Sequence, residues 1–132
     1  MKGLYKMHIE YGRDDVFDSL FIADYDKIDY LLTHEIGIHF NSEVDRGALD
    51  DDDIELVTTD EHVIKIVEDY DLENGYNPIK LTLSVFYTYD WKNTTKDEEI
   101  EVSDEFIDKW DDDYTVEEFI DYRMTGKLPK GF

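Results

Sequence analysis

The sequence predicts an α+β fold, with a mainly antiparallel sheet of about five or six strands and about three or four helices packed on one face. Three observations point there. Residues 4–11 alternate apolar and polar over a full strand length. Between Val63 and Tyr70 apolar side chains recur at helical spacing. Strand-like runs come in pairs, with helix-like runs between and after them.

Tyr5, Met7, Ile9 and Tyr11 share one face of the first strand, and Lys6, His8 and Glu10 share the other, the pattern of a half-buried strand. Gly12-Arg13-Asp14-Asp15 reads as a turn, and Leu20-Phe21-Ile22-Ala23 as the second strand. Asp24 is placed to cap a helix with Tyr25, Ile28 and Leu32 as its stripe. Alternation returns at Ile36, Ile38 and Phe40, giving strand three. Gly47 through Asp53 reads as an acidic loop leading into a strand from Ile54 to Val57.

Thr58 with Glu61 fits a capping box, and Asp60 is a competing cap. Val63, Ile66, Val67 and Tyr70 then fall at i, i+3, i+4 and i+7 of a helix that Asn74-Gly75 ends. Ile79 to Tyr89 reads as a long strand with Ile79, Leu81, Leu83, Val85, Tyr87 and Tyr89 on one face. Ile100 and Val102 mark a short partner strand beyond the Asn93-Thr94-Thr95 turn. Ser103 caps a helix carrying Phe106, Ile107 and Trp110. Thr115 with Glu118 forms a second capping box ahead of Val116, Phe119 and Ile120. Arg123, Lys127 and Lys130, among Gly126, Pro129 and Gly131, give residues 123–132 the character of an irregular basic tail.

At 132 residues and 41% hydrophobic, the chain suffices for one domain, 1–132, with a real core. Its 14% aromatic content separates it from disordered acidic chains. The absence of cysteine excludes disulfides and cysteine-based zinc sites and fits a reducing compartment. MKGLYKMHIEYG has no signal-peptide apolar stretch, and no run approaches a membrane span, so the expectation is a cytoplasmic protein with no membrane partner.

Charge is the dominant feature: 35 Asp plus Glu against 13 Lys plus Arg, a formal net of −22. Self-repulsion on that scale destabilises a compact state, while a net charge of magnitude about 2–8 is ample for solubility. A basic partner would account for the excess. Duplex DNA carries about one charge per ~1.7 Å of axis, so this inventory corresponds to roughly 37 Å of duplex. A compact chain of this length is roughly 36 Å across. The acids are unevenly placed: residues 41–75 and 90–121 each sum to −11, and residues 76–89, between them, carry a single Lys. Two alanines against 12 Ile, 10 Tyr and 10 Lys look like an AT-rich coding genome rather than salt adaptation.

Catalytic and metal motifs are weak. His34-Glu35-Ile36-Gly37-Ile38-His39 resembles the zincin motif but spaces its histidines five apart, where one helical face needs four. A strand there would point the two rings to opposite faces. Asp69, Asp71 and Glu73 follow the rhythm of a calcium loop, but Asn74 stands where glycine belongs and Lys80 where the closing glutamate belongs. With 35 acidic residues, a close carboxylate pair has no diagnostic value. No phosphate-binding glycine loop or nucleophile elbow is present. The reading is therefore a non-enzyme with no cofactor and no metal. Direct nucleic-acid binding is opposed by repulsion from phosphates.

What remains is a protein-binding surface. Its candidates are Asp50, Asp51, Asp52, Asp53 and Glu55 in the first acidic block. In the second they are Glu98, Glu99, Glu101, Asp104, Glu105, Asp108, Asp111, Asp112, Asp113, Tyr114, Glu117, Glu118 and Asp121. Glu105 and Asp108, like Glu118 and Asp121, are three apart and share a helical face. Such like-charge pairs weaken an isolated helix by a few tenths of a kcal/mol. Tyr30 and Tyr114 fall off the apolar stripes and Tyr122 lies beside the basic tail; exposed tyrosine next to carboxylates is a composition common at interfaces.

In size, charge, charge blocking and lack of cysteine, the whole chain resembles small acidic phage-encoded inhibitors of bacterial defence, the anti-restriction and anti-CRISPR class that includes DNA mimics. The resemblance rests on no shared motif and transfers no residue role. It implies a partner that is a basic, nucleic-acid-binding host protein whose Lys/Arg-lined groove the carboxylates would fill in place of phosphates. The alternative is an acidic adaptor that binds a basic surface outside any DNA groove, or, further off, a small metal-binding protein.

Overall fold

The computed structural model describes residues 1–11, 15–39, 45–84, 109–110 and 113–130. In chain order its elements are β1 (Lys2–Tyr11), β2 (Asp15–Asp24), α1 (Tyr25–Thr33), β3 (Gly37–His39), β4 (Asp45–Ala48), β5 (Ile54–Thr58), α2 (Glu61–Asp69), a 3-10 turn (Pro78–Lys80), β6 (Thr82–Leu83) and α3 (Val116–Thr125). The fold is α+β with antiparallel sheets.

One expected sheet is in fact two among the described strands, ordered β2-β1-β5 and β4-β3-β6. In the first, β1 and β2 pair along their whole length, from Lys2 with Asp24 to Tyr11 with Asp15. Strand alternation gives this sheet two different faces. Tyr5, Met7 and Ile9 join Phe21, Ala23 and Ile54 on the inner face and form the main core with Ile28, Leu31, Ile36, Ile38, Trp110, Val116, Phe119 and Ile120. Burial, aided by nearby Tyr25 and Asp24, pushes the Tyr5 phenol up to about 12, and its ring stacks on Phe21.

On the outer face Leu4, Leu20 and Ile22 receive Ile64 and Val67 of α2. The helices therefore do not all lie on one face: α1 and α3 pack on the inner side and α2 on the outer. The cause is Leu4, Leu20 and Ile22, which make one end of the outer face apolar.

The local signals behave unevenly. Asp24 caps α1 as expected, its carboxylate accepting from the Asp26 N–H at 2.9 Å, but the inward residues are Ile28 and Leu31, and Tyr25 is exposed. Asp60 is the cap that α2 uses, accepting from the His62 N–H at 2.8 Å. Thr58 Oγ1 accepts from the Asp60 N–H instead of closing a box with Glu61.

α2 stops at Asp69, earlier than Asn74-Gly75. Asn74 exchanges two 2.9 Å backbone bonds with Leu20 on the outer edge of β2. There Glu73 also accepts from the Ile22 N–H, and Asn77 donates to the Ile22 carbonyl. This covers part of the exposed edge. Gly75 adopts φ +72 where a Cβ would lie 2.4 Å from the Asp18 carbonyl oxygen, so only glycine fits.

The long strand expected from Ile79 begins as a turn, because Asn77 caps the Ile79 N–H and Pro78 starts a 3-10 helix. Among its described residues only Thr82–Leu83 is strand; residues 85–89, the partner strand at Ile100 and Val102, and the helix start from Ser103 to Ile107 lie outside the described residues. The loop expected from Gly47 opens as β4. The Thr115/Glu118 capping box forms in full, with N–H donors at 3.2 and 3.0 Å, and Gly126 at φ +77 ends α3. Arg123 lies within α3, so the irregular tail starts at Gly126.

Candidate protein-binding face

The Asp50–Asp53 turn splits its own acids by role. Asp53 makes the turn: its N–H donates to the Asp50 carbonyl and its side chain accepts from the Asp50 N–H, both at 2.9 Å. The Asp53 carbonyl also accepts from the His8 N–H, which ties the turn to β1. Asp51 and Asp52 are left exposed at the tip. Glu55, exposed on β5, lies opposite Lys6 in register.

Of these acids, Asp52, Asp53 and Glu55 border an open groove of about 500 Å³ on the outer face of the first sheet, together with Lys6, His8 and Asp18. Asp18 and Glu10 escaped the sequence reading as site residues. The alternation of Lys6, His8 and Glu10 marked the polar face, but the β1–β2 register alone brings Asp18 opposite His8. His8 Nδ1 pairs with Asp18, and Nε2 lies 3.3 Å from Glu10. The Asp18 hydrogen bond, followed by the one from Glu10, raises the His8 pKa above its ordinary value.

α2 stands on the same outer side. Glu61, Asp69 and Asp71 are exposed around it, and Glu68 is paired with Lys2 at 3.3 Å. Among the described residues Asp51, Asp52, Glu55, Glu61, Asp69 and Asp71 make no ion pair. Beside them, Val63, Ile66 and Tyr70, expected in the buried stripe, are exposed; Ile66 is 52% and Tyr70 73% accessible.

The second acidic block behaves differently where it is described. Glu117 and Asp121 hold Lys27 at 3.1 and 2.9 Å, and Glu117 also pairs with Lys80. Lys27 and Glu117 are only 21% and 24% exposed. Burial opposes charge on both, yet the hydrogen bonds outweigh it: Lys27 is raised by Asp121 and Glu117, and Glu117 is lowered by Lys80 and Lys27.

Glu118 is spent on the capping box. Asp113 is exposed, whereas Tyr114 is half-buried against Trp110, with ring centroids 5.3 Å apart. Tyr30 stacks on His34, and Tyr122 is buried in the core. Glu98, Glu99, Glu101, Asp104, Glu105, Asp108, Asp111 and Asp112 lie outside the described residues.

His34 ends α1 and His39 belongs to β3, so the zincin-like pair is divided between a helix end and a strand. Among the described residues no group of three His, Asp or Glu side chains is placed to hold a metal ion, and no helix is long and apolar enough to cross a membrane. Comparison with known proteins found no matching family model, no matching curated protein and no matching solved structure. The site therefore stands on its geometry.

Proposed function

We propose that this protein is a non-enzymatic, phage-type inhibitor that acts in the bacterial cytoplasm. It blocks a nucleic-acid-binding defence protein, a restriction enzyme or CRISPR nuclease, by presenting an acidic surface in place of DNA. One observation carries the reading: the exposed, unpaired carboxylates Asp52, Glu55, Glu61 and Asp69 stand with Asp18 and Glu10 on one side of the first sheet. Arginines of a DNA groove bind carboxylates in the bidentate geometry they use for phosphates. Association is steered, fast at low salt and sharply weakened as salt rises.

A second reading, an acidic adaptor that binds a basic surface away from any DNA groove, is favoured by the exposed apolar residues of α2, which have no counterpart in a phosphate backbone. Competition with DNA separates the two. The immobilised protein is exposed to a bacterial lysate, washed with rising salt and eluted with duplex DNA. Mimicry expects nucleic-acid-binding proteins to leave with DNA at modest salt. Retained protein that ignores DNA points to the adaptor, and retention of nothing basic overturns both.

A further inference from the structure

α2 carries more apolar surface than its sheet can cover. At ~100° per residue, Ile64, Val67, Val63, Tyr70 and Ile66 span an arc about 160° wide. Ile64 and Val67 fill the contact with Leu4, Leu20 and Ile22. Val63, Ile66 and Tyr70 are left on the open flank, a stripe roughly 10 Å long.

Carboxylates bracket that stripe at both ends, Asp60 and Glu61 at the start of the helix, Asp69 as its last residue and Asp71 just beyond it. The last turn has no basic residue, so the negative end of the helix dipole adds to these charges. A surface that is apolar along its centre and negative at its ends fits an occupant of opposite pattern.

We propose that this face of α2 is the docking surface for a basic amphipathic helix of a partner protein, whose apolar anchors at i, i+3 or i+4, and i+7 lie along Val63, Ile66 and Tyr70 while its Lys and Arg reach the flanking carboxylates. A second copy of the chain is a poor occupant, since it would bring two net charges of −22 together. The inference rests on the reading that the partner is a basic protein; it does not rest on DNA mimicry.

The test uses two labelled peptides of equal charge: a Lys/Leu peptide about 18 residues long patterned as an amphipathic helix, and an oligolysine. Binding is followed by fluorescence anisotropy at low salt and at about 0.5 M NaCl. The amphipathic peptide is expected to stay bound at the higher salt and the oligolysine to be released.

Combined Ile66→Ser and Tyr70→Ser is expected to weaken the amphipathic peptide at least about tenfold and leave oligolysine unchanged. Leu128→Ser, at an exposed apolar position on the tail, should alter neither. Equal effects on both peptides overturn the proposal. A melting point several degrees lower in the double variant also overturns it, because the stripe would then be covered by the protein's own chain. So does a wild-type dimer that the variant dissociates. A capture experiment in which the retained basic protein ignores DNA, while these peptide results hold, removes the DNA-mimic reading and leaves the docking surface standing; retention of nothing basic overturns both.

Discussion

α2 and α3 are built from similar material and used in opposite ways. Each is about two and a half turns long, apolar on one side and acidic on the other. In α3 Val116, Phe119, Ile120 and Tyr122 are buried and Met124 alone of its apolar residues is exposed, and Glu117, Glu118 and Asp121 are each engaged by Lys27, Lys80 or the cap. In α2 only Ile64 and Val67 are buried, and although Glu68 pairs with Lys2, Glu61 and Asp69, like Asp71 just beyond the helix, are paired with no cation among the described residues. Acidity therefore has two meanings in one chain. In α3 it is consumed by the fold, and on the outer side of the first sheet it is left available.

The largest test of that contrast is in the core. Phe119 is fully buried and packs edge-on against Trp110. Phe119→Ala should cost about 3–5 kcal/mol, whereas Ile66→Ser on the open flank should stay within about 0.5 kcal/mol. Urea denaturation of both variants measures the difference. Comparable losses would mean that α2 is as deeply built into the fold as α3.

Next in size is the ion cluster. Lys27→Met leaves Glu117 and Asp121 facing each other without their shared cation, at a cost of about 1–2 kcal/mol at neutral pH, because Lys27 and Glu117 are largely screened from water. Glu117 has a lowered pKa in the folded state, so its contribution is present above its ordinary value of 4.5 and disappears as pH falls through the depressed folded value. The gap between wild type and Lys27→Met should therefore narrow in acid. On α2, Glu61→Gln should change stability by no more than about 0.5 kcal/mol at any of these pH values. A gap that persists at low pH would show that Lys27 acts through packing of its stem instead.

Several local elements of the fold were legible in the sequence, whereas the contrast between the two helices was not, for definite causes. The strand at residues 4–11, the Asp24 cap and the Thr115/Glu118 box are signals confined to a few neighbouring residues, and all three hold. The phase of α2 is not such a signal. Val67 belongs both to the stripe Ile64–Val67 and to the stripe Val63–Ile66–Val67–Tyr70, and only the position of Leu4, Leu20 and Ile22 on the sheet decides between them.

The same limit applies to the acids. Nothing local to Glu117 reveals that Lys27 and Lys80, far away along the chain, converge on it. Nor does the alternation of β1 reveal that Asp18 will lie opposite His8. The Pro78 turn was misread because alternation at Ile79, Leu81 and Leu83 continues through residues whose backbone the Asn77 cap and the proline have already bent.

Caps give a smaller, paired test. Thr115→Ala breaks a reciprocal box and Asp60→Ala a single bond, and each should cost about 1 kcal/mol. Thr58→Ala should cost less than either, since Thr58 bonds only the N–H of the cap residue. Thermal melts of the three variants rank them. A Thr58 effect as large as that of Asp60 would return the box to α2.

The smallest effect is the titration of His8, and it probes the available acidity directly. His8 faces Asp18 across the strand pair and Glu10 along its own strand, with Lys6, Asp52, Asp53 and Glu55 around the groove. Its pKa is raised above 6.5, so the stabilisation it brings is fully present below that value and is lost as pH rises through the raised folded value. An NMR titration of the ring should place its midpoint above 6.5, and Asp18→Asn should bring it down, because the Asp18 hydrogen bond is the largest cause.

Protonation also puts one positive charge among the groove carboxylates. A cationic probe should therefore bind this face less tightly below the midpoint than above it, whereas an α3-centred surface would not respond. A midpoint that Asp18→Asn leaves unmoved would mean that the β1–β2 register does not bring the two side chains together in solution, and the groove would lose its organising contact.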